Sequence, residues 1–335
     1  MNPDVKNILD NIVEDRQLLK HKMLWEADPS AVATLSAFLY ASVEKRADID
    51  RYMECKKYLK QTVSAFSEIR GIASAIIITK MTLQSDYKTY LAGVTEVYKK
   101  LRSLHKLTAS PYMVMAAANI YEAGGLAKAD DHIAELERVY AGMKSDHFFL
   151  TGDEDRPFLA LLISRGIDID AVIREIETCY NASKSMSFSK EAMHTASQIL
   201  ALSGKSTNAK VEELAATMSA LKEHQVDGMK YELMPIAAAL TFIDASPDAK
   251  AAEIKEIYDY LRTQKGFGLT LTNTKRAMYA ALAYAIGSFD ADKALFNSVI
   301  SSSITGIIID EIISTIIITS AVVTTAASSS SSSSN

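Results

Sequence analysis

A recurrence of about 40 residues constrains this chain more than any other feature. Five segments share one pattern, an aromatic residue or Met three positions before Leu, Met or Ser. They are Val97-Tyr98-Lys99-Lys100-Leu101, Val139-Tyr140-Ala141-Gly142-Met143, Cys179-Tyr180-Asn181-Ala182-Ser183, Thr217-Met218-Ser219-Ala220-Leu221 and Ile257-Tyr258-Asp259-Tyr260-Leu261. A fainter copy, Cys55-Lys56-Lys57-Tyr58-Leu59, lies one period upstream. Apolar residues precede each copy at helical spacing, as in Ile133, Leu136, Val139, Tyr140 and Met143, or Ile254, Ile257, Tyr258 and Leu261. That is the stripe of a helix with one buried face.

Between these amphipathic helices lie shorter, Ala-rich apolar segments: Met113 to Tyr121, Phe158 to Ile163, Ile236 to Ile243 and Ala277 to Ile286. A helix that is apolar on nearly all sides is covered on several sides. The turns that follow the apolar segments carry Gly124-Gly125, Gly166, Gly204 or Ser246-Pro247. Gly fits the left-handed position after a helix, and Ser-Pro starts the next helix with a cap and a preset φ. The expected fold is all-α, about seven tandem helical hairpins forming an α-solenoid. A closed α/α ring is the alternative, because both arrangements bury the apolar helices.

This reading divides the chain into an N-terminal capping helix (1–30), a helical-repeat array (31–297), an apolar C-terminal capping segment (298–327) and a polyserine tail (328–335). The N-terminal helix draws its apolar side from Ile8, Ile12, Leu18 and Leu19, with Trp25 after it. In the C-terminal segment, Ile304 to Ala327 is almost wholly Ile, Val, Thr, Ser and Ala, broken by Asp310 and Glu311. Two acids inside the stretch and no flanking Lys or Arg argue against a membrane anchor. A helix packed on the last hairpins is expected instead, followed by compositional disorder in the serines.

Junctions from amphipathic to apolar helices also recur. Phe148-Phe149-Leu150-Thr151 precedes Arg156-Pro157-Phe158, Phe267-Gly268-Leu269-Thr270 precedes Arg276-Ala277-Met278, and Leu107-Thr108 precedes Ser110-Pro111-Tyr112. They read as staples between hairpins, or as a row of loops forming a binding edge. Two of them, in Leu107-Thr108-Ala109-Ser110-Pro111-Tyr112-Met113 and Phe149-Leu150-Thr151-Gly152-Asp153-Glu154-Asp155-Arg156-Pro157, together with the Ser/Ala-rich tail, resemble a bacterial family catalogued only as a domain of unknown function. The resemblance implies length and helical character. It implies no activity or catalytic residue.

The densest polar cluster is Asp146, His147, Asp153, Glu154, Asp155 and Arg156. Oxygen ligands at such density suit a hard cation, and a carboxylate beside His suits a general base. The competing reading is that Asp153 or Asp155 caps the helix beginning near Pro157, with the other acids solvated. No HExxH, Cys/His zinc spacing, GxGxxG, GxxxxGK[ST] or GxSxG occurs, so no metal or cofactor is expected. His194 lies on an apolar helix and reads as a core histidine, whereas His132 and His224 read as surface residues. Tyr98, Tyr140, Tyr180 and Tyr258 read as core, with a peptide-binding groove as the alternative.

Net charge is −5, from 36 basic and 41 acidic residues without a dense basic cluster, which argues against nucleic acid as a partner. Cys55 and Cys179 read as small buried thiols. The polar start lacks a secretory pattern, and cytoplasm is the expected compartment. The function expected first is a non-enzymatic binding or scaffold protein with a protein or peptide partner. The alternatives are a metal-assisted enzyme centred on the loop from Asp146 to Arg156, and a membrane-associated protein held by the tail.

Overall fold

The computed structural model describes residues 1–23, 29–104, 110–146, 152–186, 189–226, 230–268 and 271–288. Those residues form fourteen α-helices, with no strand among them. The first seven are α1 (Pro3–Lys22), α2 (Pro29–Ser42), α3 (Ile49–Thr62), α4 (Ser74–Thr82), α5 (Tyr87–Leu104), α6 (Pro111–Gly124) and α7 (Ala129–Asp146). The rest are α8 (Asp155–Ser164), α9 (Ile169–Ser183), α10 (Lys190–Ala201), α11 (Thr207–Glu223), α12 (Lys230–Leu240), α13 (Pro247–Thr263) and α14 (Asn273–Ser288). The Trp25 position and the tail expected to pack on the last hairpins lie outside the described residues.

Local sequence sets the helix starts. Asp48, Ser110, Asp168, Ser189, Ser206 and Ser246 each accept a hydrogen bond from the third residue onward in α3, α6, α9, α10, α11 and α13. Pro111 and Pro247 occupy the first helical position, where a missing N–H costs nothing. Gly125 and Gly166 hold the left-handed turns after α6 and α8, with φ of 61° and 67°. Gly204, expected in the same role, does not have positive φ.

Even-numbered helices are buried almost all round. Every side chain from Ala31 to Ser42 in α2 is buried, and so is every one from Arg276 to Ile286 in α14. Odd-numbered helices bury one stripe, such as Ile254, Ile257, Tyr258 and Leu261 in α13. The expected alternation of apolar and amphipathic helices is therefore present. Tyr98, Tyr140 and Tyr258 are buried core residues and Tyr180 is half-buried, in line with packing and not with an open groove.

The even helices meet one another: α2 with α4, α6 with α8, α10 with α12, and α12 with α14. An open array would leave its first and last helices apart. Here α1 packs on α2 and on α14, and α14 also meets α2, where Phe38 stacks on Tyr279 at 5.4 Å. The Tyr260 hydroxyl of α13 donates to Asp10 of α1. Arg16 of α1 lies 4.8 Å from the Phe267 ring centroid and donates to Thr34 Oγ1 at 2.8 Å.

Candidate functional site

Two of the predicted polar residues lie at the first turn of α8, and both are buried. Asp155 and Arg156 are each 2% exposed. A carboxylate and a guanidinium in such positions must find partners, and they point in different directions to do so.

Asp155 turns toward α10. Its Oδ1 accepts from Gln198 Nε2 at 2.5 Å and lies 3.3 Å from His194 Nε2. The Gln198 amide nitrogen is also 3.2 Å from His194 Nε2. The other oxygen, Oδ2, accepts from the Gly152 backbone N–H at 3.0 Å. His194 and Gln198 are themselves buried, and the Tyr180 ring meets His194 edge-on at 6.4 Å.

Arg156 turns toward α7. It donates to Glu137 Oε1 at 2.5 Å and to Asp153 Oδ1 at 3.2 Å, and its guanidinium carbon sits 3.8 Å from the Tyr140 ring centroid. Burial pushes the Tyr140 hydroxyl above its ordinary pKa, and the charge of Arg156 opposes that shift. Glu154 is exposed, and Asp153 is half-buried beside Arg156.

The expected cap differs in detail. The helix starts at Asp155, two residues before Pro157, and no side chain caps it. Asp155 reaches back to Gly152 and across to α10 instead. Asp146 ends α7 with its side chain outside the described residues, and His147 lies outside them entirely. The structure thus joins Asp153 to Arg156, and ties Asp155 to two residues the polar cluster had not included. A signal for them existed: His194 and Gln198 are polar neighbours at i and i+4 on an apolar helix. Among the described residues, no three or more His, Cys, Asp or Glu side chains are arranged to hold a metal ion.

Arg276 occupies the equivalent place at the start of α14. It donates to the carbonyls of Phe267, Gly268 and Leu271 and sits 5.3 Å from the Tyr258 ring. In both places the arginine lies over the tyrosine of the preceding amphipathic helix, but Arg156 donates to carboxylates where Arg276 donates mainly to backbone carbonyls. Residues 147–151 and 269–270 of the junctions that read as staples lie outside the described residues.

A second pair of matched contacts links odd-numbered helices. Lys210, 1% exposed, donates to Glu175 at 2.6 Å, and Lys250, fully buried, donates to Glu213 at 2.8 Å. Burial pushes both carboxyls up, but the lysine hydrogen bonds and charges outweigh it and leave both below the ordinary range. Beside the first pair is a cleft of about 380 Å³, lined by Glu175, Ser203, Lys205, Thr207 and Lys210 among others.

Exposed apolar side chains also recur. Phe66, between α3 and α4, is wholly exposed, and Leu104 and Leu18, near the ends of α5 and α1, are 57% and 50% exposed. His132 is half-exposed, and His224, beyond the end of α11, pairs with Asp248 at 2.7 Å. Both cysteines are buried and free, and burial pushes each thiol up to about 11. No helix among the described residues is long and apolar enough to cross a membrane.

A family model described as a protein of unknown function (DUF4003) matches residues 17–315. The uncharacterized protein YeaA of Bacillus subtilis (strain 168) is 27% identical over 271 residues, which is 74% of this chain and 75% of that protein. No solved structure matches.

Proposed function

The chain belongs to the DUF4003 family of proteins of unknown function, so its activity has to be read from its own surface, and we propose a non-enzymatic binding protein for a protein or peptide partner. In this reading the fourteen helices are seven repeated hairpins closed into a ring. Even helices form the inner wall and odd helices the outer one. The contact of α1 with α14 and the stacking of Phe38 on Tyr279 support closure. Small-angle scattering tests it: a closed ring of 335 residues should give a radius of gyration of about 20 Å, and an open array a clearly larger one.

Phe66 carries the binding reading. Phe66 holds its whole ring in water, so the apolar surface it would bury against a partner is fully available. In this reading the outer helices end on one edge, which would set Phe66, just beyond α3, and Leu104, the last residue of α5, on the same side of neighbouring hairpins. The test compares proteins captured by the native chain and by a Phe66→Ser, Leu104→Ser variant with unchanged helix content. A partner held by the first and lost by the second supports the reading. Identical capture by both overturns it.

One observation favours an enzyme as the second reading, the 3.3 Å approach of His194 to Asp155. A histidine oriented by a carboxylate is suited to general acid–base work. Free buried thiols fit a cytoplasmic setting.

A further inference from the structure

Charge is unevenly distributed along this chain. Residues 56–104 hold nine Lys and Arg against three Asp and Glu, a net charge of +6 in a chain whose total is −5. The fold gathers part of that charge around Phe66. A 3-10 turn at Glu68–Arg70 follows Phe66 and folds back on the end of α3, where Arg70 Nη1 donates to the carbonyls of Lys60 and Val63, both at 3.2 Å. The same turn lies against the end of α5, because Glu68 and Arg102 both act on the Tyr98 hydroxyl. The exposed Phe66 and Leu104 therefore share this edge with Lys60, Arg70, Lys99 and Arg102. Among the described residues, Lys60 has no ion pair and Arg70 has no acceptor at Nε or Nη2.

We infer that this edge binds an acidic amphipathic helix of a partner protein, whose apolar stripe covers Phe66 and Leu104 and whose flanking carboxylates meet Lys60, Arg70, Lys99 and Arg102. The two apolar side chains supply the area to bury, and the cations around them select the sign of the partner. Arg70 is pinned through Nη1, so its Nε–Nη2 fork is held in place for one carboxylate in bidentate geometry. A lipid surface offers mobile headgroups to that fork, and Glu68 beside it repels a uniformly anionic plane. A partner helix can space its acids around Glu68. An extended strand has no sheet edge to pair with among the described residues, whereas a helix carries one apolar stripe with charges on both flanks.

The inference rests on the reading of Phe66 as a binding contact, and different variants test the two. The probes are two synthetic helical peptides of about 20 residues with the same Leu stripe, flanked by Glu in the first and by Lys in the second. Fluorescence anisotropy reads their binding to the full chain. The native chain should bind the Glu peptide at least about tenfold more tightly than the Lys peptide, and the ratio should shrink between about 50 and 300 mM salt. Lys60→Glu with Lys99→Glu should remove or reverse the preference. Lys184→Glu with Lys222→Glu, the same change of charge at the ends of α9 and α11, should keep it. Phe66→Ser with Leu104→Ser should weaken both peptides, which tests the binding reading by itself. Equal affinity for the two peptides, no binding of either, or tighter binding of phosphatidylglycerol vesicles or of an oligonucleotide than of the Glu peptide overturns the inference. If Lys60→Glu with Lys99→Glu does not fold, Lys60→Gln with Lys99→Gln is read the same way, with a smaller preference expected.

Discussion

The guanidinium of Arg156 sits 3.8 Å from the centroid of the Tyr140 ring, sealing the top of α7 against the first turn of α8. Both are buried, and Glu137 supplies the countercharge. Truncating Tyr140 to Ala should therefore cost roughly 3–5 kcal/mol, the range for large aromatic residues in cores. Arg156→Met should cost less than Arg156→Ala, because it keeps the apolar stem that covers the ring. Urea denaturation of the three proteins checks the order. Equal stability of Tyr140→Ala and the native chain would place that ring outside the core.

The matched pairs Lys210–Glu175 and Lys250–Glu213 predict an acid-side loss of stability. Both glutamates have folded pKa values below their ordinary 4.5. Their contribution is thus present above about 4.5 and lost as pH falls through the lower folded value. Thermal melts between pH 7 and 3 should show this loss, reduced in Glu213→Gln. At pH 7 that variant should be destabilised by roughly 2–3 kcal/mol, since it leaves the buried Lys250 without a countercharge and Glu213 is itself partly solvated. A pH profile identical in the variant and the native chain would contradict the assignment.

The thiols of Cys55 and Cys179, held up to about 11 and buried, should be inert in the folded protein. A thiol-reactive dye at pH 8 should label neither within minutes and both in 6 M guanidinium (about the concentration that unfolds most domains). Rapid labelling of either one under native conditions would show that its helix opens locally.

The acidic loop should hold no tight divalent ion. Asp155 is committed to Gln198 and Gly152, and Asp153 to Arg156. A cation would have to displace a buried guanidinium contact or a 2.5 Å hydrogen bond to reach them. Calorimetric titration with Mg²⁺, Mn²⁺ and Ca²⁺ should give no micromolar binding. Micromolar binding lost in Asp153→Ala would reverse this view and favour the enzyme reading.

The sequence by itself determined the helices. The 3.6-residue stripe ending in Tyr140 or Tyr258, the cap at Ser246, and the all-apolar run of α14 are local properties, legible because each residue's neighbours in the chain are also its neighbours in the helix. The sequence also marked Asp155 and Arg156 as polar residues at a helix start. Only the tertiary structure decided where they point. Gln198 lies 43 residues from Asp155, and Asp10 lies 250 residues from Tyr260. Periodicity records which face of a helix is covered, not what covers it. An open array and a closed one bury the same stripe, so the meeting of α1 with α14 was invisible until the helices were placed in space.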